Sequence, residues 1–501
     1  MDNLSQGIIT VIVASAAFLL SWHQFRLGNH RIALLLLMLG GLILRVYTSS
    51  DMFLHYWDER YHALVAKNLI DNPLKPALYA NPLLPFDFRD WTQNHIWLHK
   101  QPLPLWLMAS SLWLFGINEI AIRLPSIIMS TAGIAMTYAI GKHFFDHRTA
   151  FLAAFLFAIH GLIIELTAGR VATDHIDIAF LFFIQLAIFF SIQYVKSGKN
   201  IFNIMVGLMM GAAILSKWLP ALIVLPIWFL IVLDSGKANY KTIALQLLVL
   251  LITGFATFLP WQIYIFTCFP AEAAWESNYN IRHLHEAIEE HQGSVFYFLD
   301  KIRIIYGELI YLPLFWFLYR TAKDPRNLKR LAITTWFLIP FLFYSFASTK
   351  MQAYLLFTSP ALFLITADFF MTISDYKMQV KWKWLINIAL ILLIALPVRY
   401  SFERIKPFSK IERNPEWVAN LKELSKDVNE KVVLFNYANP VEAMFYTDMI
   451  VYPQLPDKET IKRLIREGYT VVINDEGQLP EELLMMDGVK VQPIKSRDSN
   501  Q

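Results

Sequence analysis

Five short stretches gather residues able to do chemistry, in a chain otherwise built of apolar blocks. The first is Asp51, His55, Trp57, Asp58, Glu59, Arg60, Tyr61 and His62. A carboxylate here could take a proton from a hydroxyl. The plain alternative is two acids in the first turn of a helix, where the macrodipole favours them. The second is Leu98-His99-Lys100-Gln101-Pro102-Leu103-Pro104, a cation ahead of a short apolar run. Lys100 could hold a phosphate, or simply snorkel at an interface. The third is Arg170, Asp174, His175 and Asp177, at the mouth of an apolar block. Charge at membrane depth is costly and faces a cavity or a partner. Arg170 and Asp174 at helical spacing could equally be a structural ion pair. The fourth spans 276–297, with Arg282, His283, His285, Glu286, Glu289, Glu290 and His291. Its HLHEAIEEH run is not HExxH, so a divalent metal is admitted rather than required. Glu286, Glu289 and Glu290 read as a solvated helix face. The fifth is Ser348-Thr349-Lys350 followed by Tyr354, with Lys217 in a comparable tight turn.

These residues need a scaffold, and composition says which kind. Of 501 residues, 56% are hydrophobic and only 17% charged; soluble domains carry about 25% charged residues. Apolar blocks near 6–22, 31–48, 120–141, 149–165, 175–195, 201–216, 218–233, 242–266, 303–319, 331–347, 351–371 and 384–398 approach the roughly 20 residues that cross a bilayer. The first block lacks the basic leader of a signal peptide and reads as a retained span. The run 102–115 is short and reads as a helix lying at the membrane surface. The net charge of +4 is scattered over short loops, with no stripe for a nucleic-acid partner. The single cysteine, Cys268, excludes an internal disulfide.

Lysine and arginine set the sides. Short basic loops around Arg26 and Arg31, Lys142 and Arg148, Lys196 and Lys199, Lys237 and Lys241, 320–330, and Lys377, Lys381 and Lys383 are expected in the cytoplasm. The segments 49–119 and 267–302, the turns near 166–174 and 348–350, and the tail are then outside. All five polar groups fall on that outer face, around a membrane-level cavity. The expected architecture is an all-α polytopic membrane domain of about twelve spans, residues 1–398, followed by a small α/β domain outside the membrane, 399–501. In that tail 431–436 and 469–474 read as strands, and 457–467 as an amphipathic helix.

The ordered set of motifs resembles the GT-C membrane glycosyltransferases, especially the protein O-mannosyltransferase and lipid A aminoarabinose-transferase branch. Trp57-Asp58-Glu59-Arg60-Tyr61 is similar to that family's Asp-Glu motif, and His99-Lys100-Gln101-Pro102-Leu103 to its Lys-Pro-Pro-Leu element, with Gln101 replacing a proline. Leu114-Phe115-Gly116 through Arg123-Leu124-Pro125-Ser126, then Arg170 to Asp177, then His291-Gln292-Gly293 with Phe296-Tyr297, then Ser348-Thr349-Lys350 with Tyr354 and Pro360 follow in the family's order, over 45–365. The resemblance implies a polyprenyl-phosphate sugar as donor and a lipid, glycan or protein acceptor, joined by an inverting transfer on the outer face of a bacterial inner membrane. It implies Asp58 as base or acceptor-orienting carboxylate, supported by Glu59. It implies Lys100, Lys350 and Arg282 at the donor phosphate, and Asp174, Tyr61, His291 and Tyr354 at the sugar and acceptor site. The second acid is ambiguous between Asp174 and Asp177, with Asp174 preferred.

Two rival classes stay on the page. A transporter or flippase would place charge at mid-membrane on paired halves, and the charges here gather at one surface. A non-catalytic scaffold would not need acids, histidines and lysines collected on one face.

Overall fold

The structure is a computed structural model that describes residues 2–236, 239–376, 383–424, 431–477, 479–480, 483 and 486–497. Lys237, Lys377 and Lys381, named above for orientation, lie outside the described residues. Two compact units emerge, and neither is one continuous stretch. One comprises Met1–Ser49, Lys100–Pro104 and Ser126–Lys410; the other Ser50–His99, Leu105–Pro125 and Ile411–Gln501. The expected partition at 398/399 therefore differs in three respects: the boundary falls at 410/411, and the segments 50–99 and 105–125 belong to the unit of the C-terminal tail.

Among the described residues of the whole chain, eight helices are long and apolar enough to cross a membrane, or ten if each of two bent pairs counts as one span. The two other expected spans form the shorter Leu219–Asp234 and the helix Leu328–Phe346. Polar side chains inside the membrane unit pair with each other, as a lipid environment demands. Asn203 donates to Gln246 at 2.9 Å and accepts from Trp228 at 2.8 Å. The helices Asn200–Lys217 and Tyr240–Cys268 meet through small residues. A Cβ on Gly207 would lie 1.8 Å from Thr253 Oγ1, so only glycine permits that approach.

Two expected straight spans are broken. His147–Ile159 and Gly161–Thr167 bend by 49°. Tyr297–Tyr306 and Glu308–Lys323 bend by 118°. The second break sits at Gly307, whose φ of 99° disfavours any side chain.

In the other unit a four-stranded parallel sheet has the order β2-β1-β3-β4, with β1 Val432–Phe435, β2 Ile450–Val451, β3 Thr470–Asn474 and β4 Val489–Gln492. The two strands read from sequence are β1 and β3, and the amphipathic helix is Lys458–Arg466. Residues 50–99 add the helix Asp58–Asp71 to this unit. The short apolar run forms the helix Pro102–Phe115. Pro125 cannot donate to the carbonyl of Ala121; the Ser111 hydroxyl does so instead, at 2.5 Å.

Candidate active site

The adjacent acids Asp58 and Glu59 have separate jobs. Asp58 opens the helix Asp58–Asp71 and is half-buried, after the exposed rings of Tyr56 and Trp57. Glu59 is fully buried. Its two oxygens accept from Arg123 Nε at 2.7 Å and Nη2 at 2.9 Å. The second oxygen also accepts the backbone N–H of His55 at 2.7 Å and lies 2.6 Å from His55 Nδ1. On its other side His55 Nε2 lies 3.1 Å from Asp51, which accepts from Arg413 at 2.8 Å. Arg123, also without exposure, donates to the carbonyls of Asp51 and Phe53. A bidentate guanidinium–carboxylate pair is directional as well as strong. Glu59 thus holds the loop that ends at Asp58. With both oxygens engaged, Glu59 is placed to support its neighbour.

A second brace acts on the same loop. Arg497 donates to the Leu54 carbonyl at 3.1 Å and lies over the rings of Phe53 at 5.4 Å and Tyr56 at 5.8 Å. Replacing Arg497 with Ala removes one hydrogen bond to a charged donor, worth about 1.5–3 kcal/mol, from a partly exposed position. The expected result is a lower turnover number with an unchanged KM for the donor. A fall in donor affinity instead would contradict the brace. Tyr61, expected near the sugar, is buried, and its ring meets Trp91 edge-on at 4.9 Å. Burial raises the pKa of its hydroxyl above the ordinary tyrosine range.

The membrane unit holds the other expected residues. Asp177 is buried and accepts from Lys217 and from Thr173. Lys217 Nζ lies 4.8 Å from the centroid of the Tyr354 ring. Asp174 turns its carboxylate back onto the amide of His175. Of the two acids left open, Asp177 and not the preferred Asp174 is the one paired with a lysine. Thr173 and Asp174 have φ of 69° and 23°, and strain of this kind concentrates at functional sites. His175 Nδ1 lies 2.9 Å from Ser126, the last residue of the Arg-Leu-Pro-Ser motif. Gln101 earns its place too, accepting from Gln262 at 3.1 Å.

Lys350 is pinned from several directions. Its backbone N–H donates to the His291 carbonyl at 2.8 Å, and its ammonium to that of Ala347. Thr349 Oγ1 donates to the Glu286 carbonyl at 2.8 Å and accepts from Ile288 at 3.1 Å. The Ser-Thr-Lys turn and the loop carrying His291 therefore form one piece. Burial holds the Lys350 ammonium below the usual lysine pKa. A Cβ on Gly293 would approach the Lys350 stem at 3.2 Å and the Tyr297 ring at 2.7 Å. On the expected role of Lys350 at the donor phosphate, Gly293→Ala should weaken donor binding by roughly fivefold, the low end of overpacking costs. An unchanged donor KM would contradict that role. Arg282, by contrast, lies on the exposed end of the helix Pro270–His285 and pairs with Glu286 at 2.7 Å. Glu286, Glu289 and Glu290 do not share a helix face: the helix stops at His285, and Glu289 and Glu290 have φ of 53° and 60°. Among the described residues no group of three or more His, Cys, Asp or Glu could hold a metal ion.

Sequence reasoning named Arg123 only within a motif and Lys217 only by its turn, assigning neither a role, and it passed over Arg497, which stands in the tail with no motif around it.

Residues 99–264 match the family model described as dolichyl-phosphate-mannose-protein mannosyltransferase. The fold is similar to that of ArnT from Cupriavidus metallidurans bound to undecaprenyl phosphate, with a TM-score of 0.59, 14% identity, and coverage of 86% of this chain and 87% of that one. An undecaprenyl phosphate-alpha-4-amino-4-deoxy-L-arabinose arabinosyl transferase of Pseudomonas paraeruginosa is 23% identical over 53% of this chain and 49% of its own. A putative mannosyltransferase of Bacillus subtilis, YycA, is 23% identical over 46% of this chain and 32% of its own. The chain is an integral membrane protein with the GT-C fold of membrane glycosyltransferases.

Proposed function

We propose that the protein is a polyprenyl-phosphate-dependent membrane glycosyltransferase, working on the extracytoplasmic face of a bacterial inner membrane. One observation carries the mechanism: Glu59 is locked by Arg123, while its neighbour Asp58 stands half-buried at a helix N-terminus. Asp58 takes the proton from an acceptor hydroxyl. The acceptor oxygen attacks the anomeric carbon, and the bond from that carbon to the phosphate oxygen breaks. The polyprenyl phosphate leaves with the electron pair, and the sugar inverts. Lys100 and Lys350 stabilise the charge growing on the phosphate. Arg282 is a weaker candidate for that task, because Glu286 already neutralises it. Asp177 and Lys217, with Tyr354, His291 and Asp174 near them in role, shape the sugar and acceptor site. The acceptor is a lipid, glycan or protein. The fold match supports this reading, and nothing in it favours a transporter.

Native mass spectrometry of the purified chain tests the donor class. Undecaprenyl phosphate should be retained, and the neutral polyprenol should not. Lys350→Met should weaken retention by about 10–100-fold, the value of a hydrogen bond from a charged donor. Equal retention of the polyprenol would contradict the proposal.

A further inference from the structure

The unit that contains the sheet has a cavity of about 220 Å³, lined by Tyr79, Phe86, Asp87, Gln93, Tyr452 and Gln454 among others. The mechanism above uses none of these residues. Its back wall is rigid. The Tyr79 and Tyr452 rings stack at 5.1 Å with 15° between planes. Their hydroxyls are already engaged: Tyr79 donates to the Val451 carbonyl at 2.9 Å, and Tyr452 accepts from Leu83 N–H at 2.8 Å and Leu84 N–H at 3.2 Å.

The rim is a set turn. Pro82 and Pro85 restrict it. Arg89 grips Asp87 through Nη2 at 2.8 Å and Nε at 2.9 Å. Asp90 accepts from Thr92 Oγ1 at 2.6 Å and from Gln93 at 3.1 Å. Three of the lining side chains are exposed: Phe86, at 44%, Asp87 and Gln454.

Those groups complement one kind of ligand. Carboxylate and amide side chains bond adjacent hydroxyls, which both donate and accept. An aromatic face packs on the apolar side of a ring that is polar at its edge. The cavity is smaller than a drug-sized pocket of roughly 300–1,000 Å³ and suits a single sugar ring. Asp87 and Asp90 line it and no lysine or arginine does; the nearby Arg89 is taken up by Asp87, so a phosphate or carboxylate group is disfavoured.

We propose that this cavity is a saccharide subsite for a neutral or amine-bearing sugar ring of the acceptor. Only the word acceptor rests on the glycosyltransferase reading; the binding does not.

Saturation-transfer NMR on the full chain in nanodiscs tests it. The probes are the methyl glycosides of glucose, mannose, glucosamine and N-acetylglucosamine, with glucose 6-phosphate as the anionic control. At least one neutral or amino sugar should bind. Phe86→Ala and Asp87→Asn should each weaken it by roughly fivefold or more, the value of one well-placed aromatic or polar contact. Asp58→Asn should bind as the wild type does. Gln454→Ala, on an exposed turn, gives a third variant, and melting curves confirm that all are folded. No binding by any probe, binding as tight as the wild type's by all three folded variants, or preference for glucose 6-phosphate would overturn the proposal. Sugar binding without any transferase activity would leave the subsite standing and remove the enzyme reading. Transfer activity without sugar binding would do the reverse.

Discussion

Replacing Asp58 with Asn is expected to lower the transfer rate by about 10²–10⁴-fold, the range contributed by a positioned general base. The amide keeps the volume and can still occupy the first turn of Asp58–Asp71, but it cannot accept the acceptor's proton. Because Asp58 is only half-buried, the melting temperature should stay within a degree or two of the wild type, as for surface substitutions. Initial rates with purified protein and saturating donor measure the effect. A folded variant with wild-type rate would remove Asp58 from the chemistry.

The second large effect is structural. Arg123→Met should destabilise the unit by about 3–5 kcal/mol, the cost of leaving a buried charge uncompensated. Glu59 would lose both guanidinium bonds, at 2.7 and 2.9 Å, and the carbonyls of Asp51 and Phe53 would lose their donor. Transfer should fall with it, since the loop ending at Asp58 is no longer held. Adding Glu59→Leu should recover part of the stability, because removing both charges is cheaper than removing one. Thermal unfolding of the detergent-purified chain reads both variants. If Arg123→Met melts like the wild type, the buried pair does not hold this loop.

Much of the architecture was legible because it depends on local patterns. Long apolar blocks mark helices whatever their neighbours, and KVVLFN and YTVVIN announce β1 and β3. The two-residue strand β2 was not legible, since so short a strand has no periodicity of its own. The bends were missed for a related reason: hydropathy averages over a window and does not see a single residue that breaks a helix, His160 in one pair and Gly307, at φ 99°, in the other. The site was legible as residue types but not as partnerships. Glu59 and Arg123 lie 64 positions apart, and Asp177 and Lys217 40 apart. No local rule ties one member of either pair to the other. An adjacent pair of acids in sequence does not say which of the two is engaged. Only the fold reveals that Arg123 occupies one of them.

The most direct measurement is label transfer in proteoliposomes. Radiolabelled sugars on undecaprenyl phosphate would be offered to the wild-type chain with extracts of native envelope acceptors. One donor should deliver label to an acceptor and release undecaprenyl phosphate in equal amount, with none moved by Asp58→Asn. Folded wild-type protein that moves no label from any donor, or moves it as fast without the Asp58 carboxylate, would contradict the glycosyltransferase mechanism.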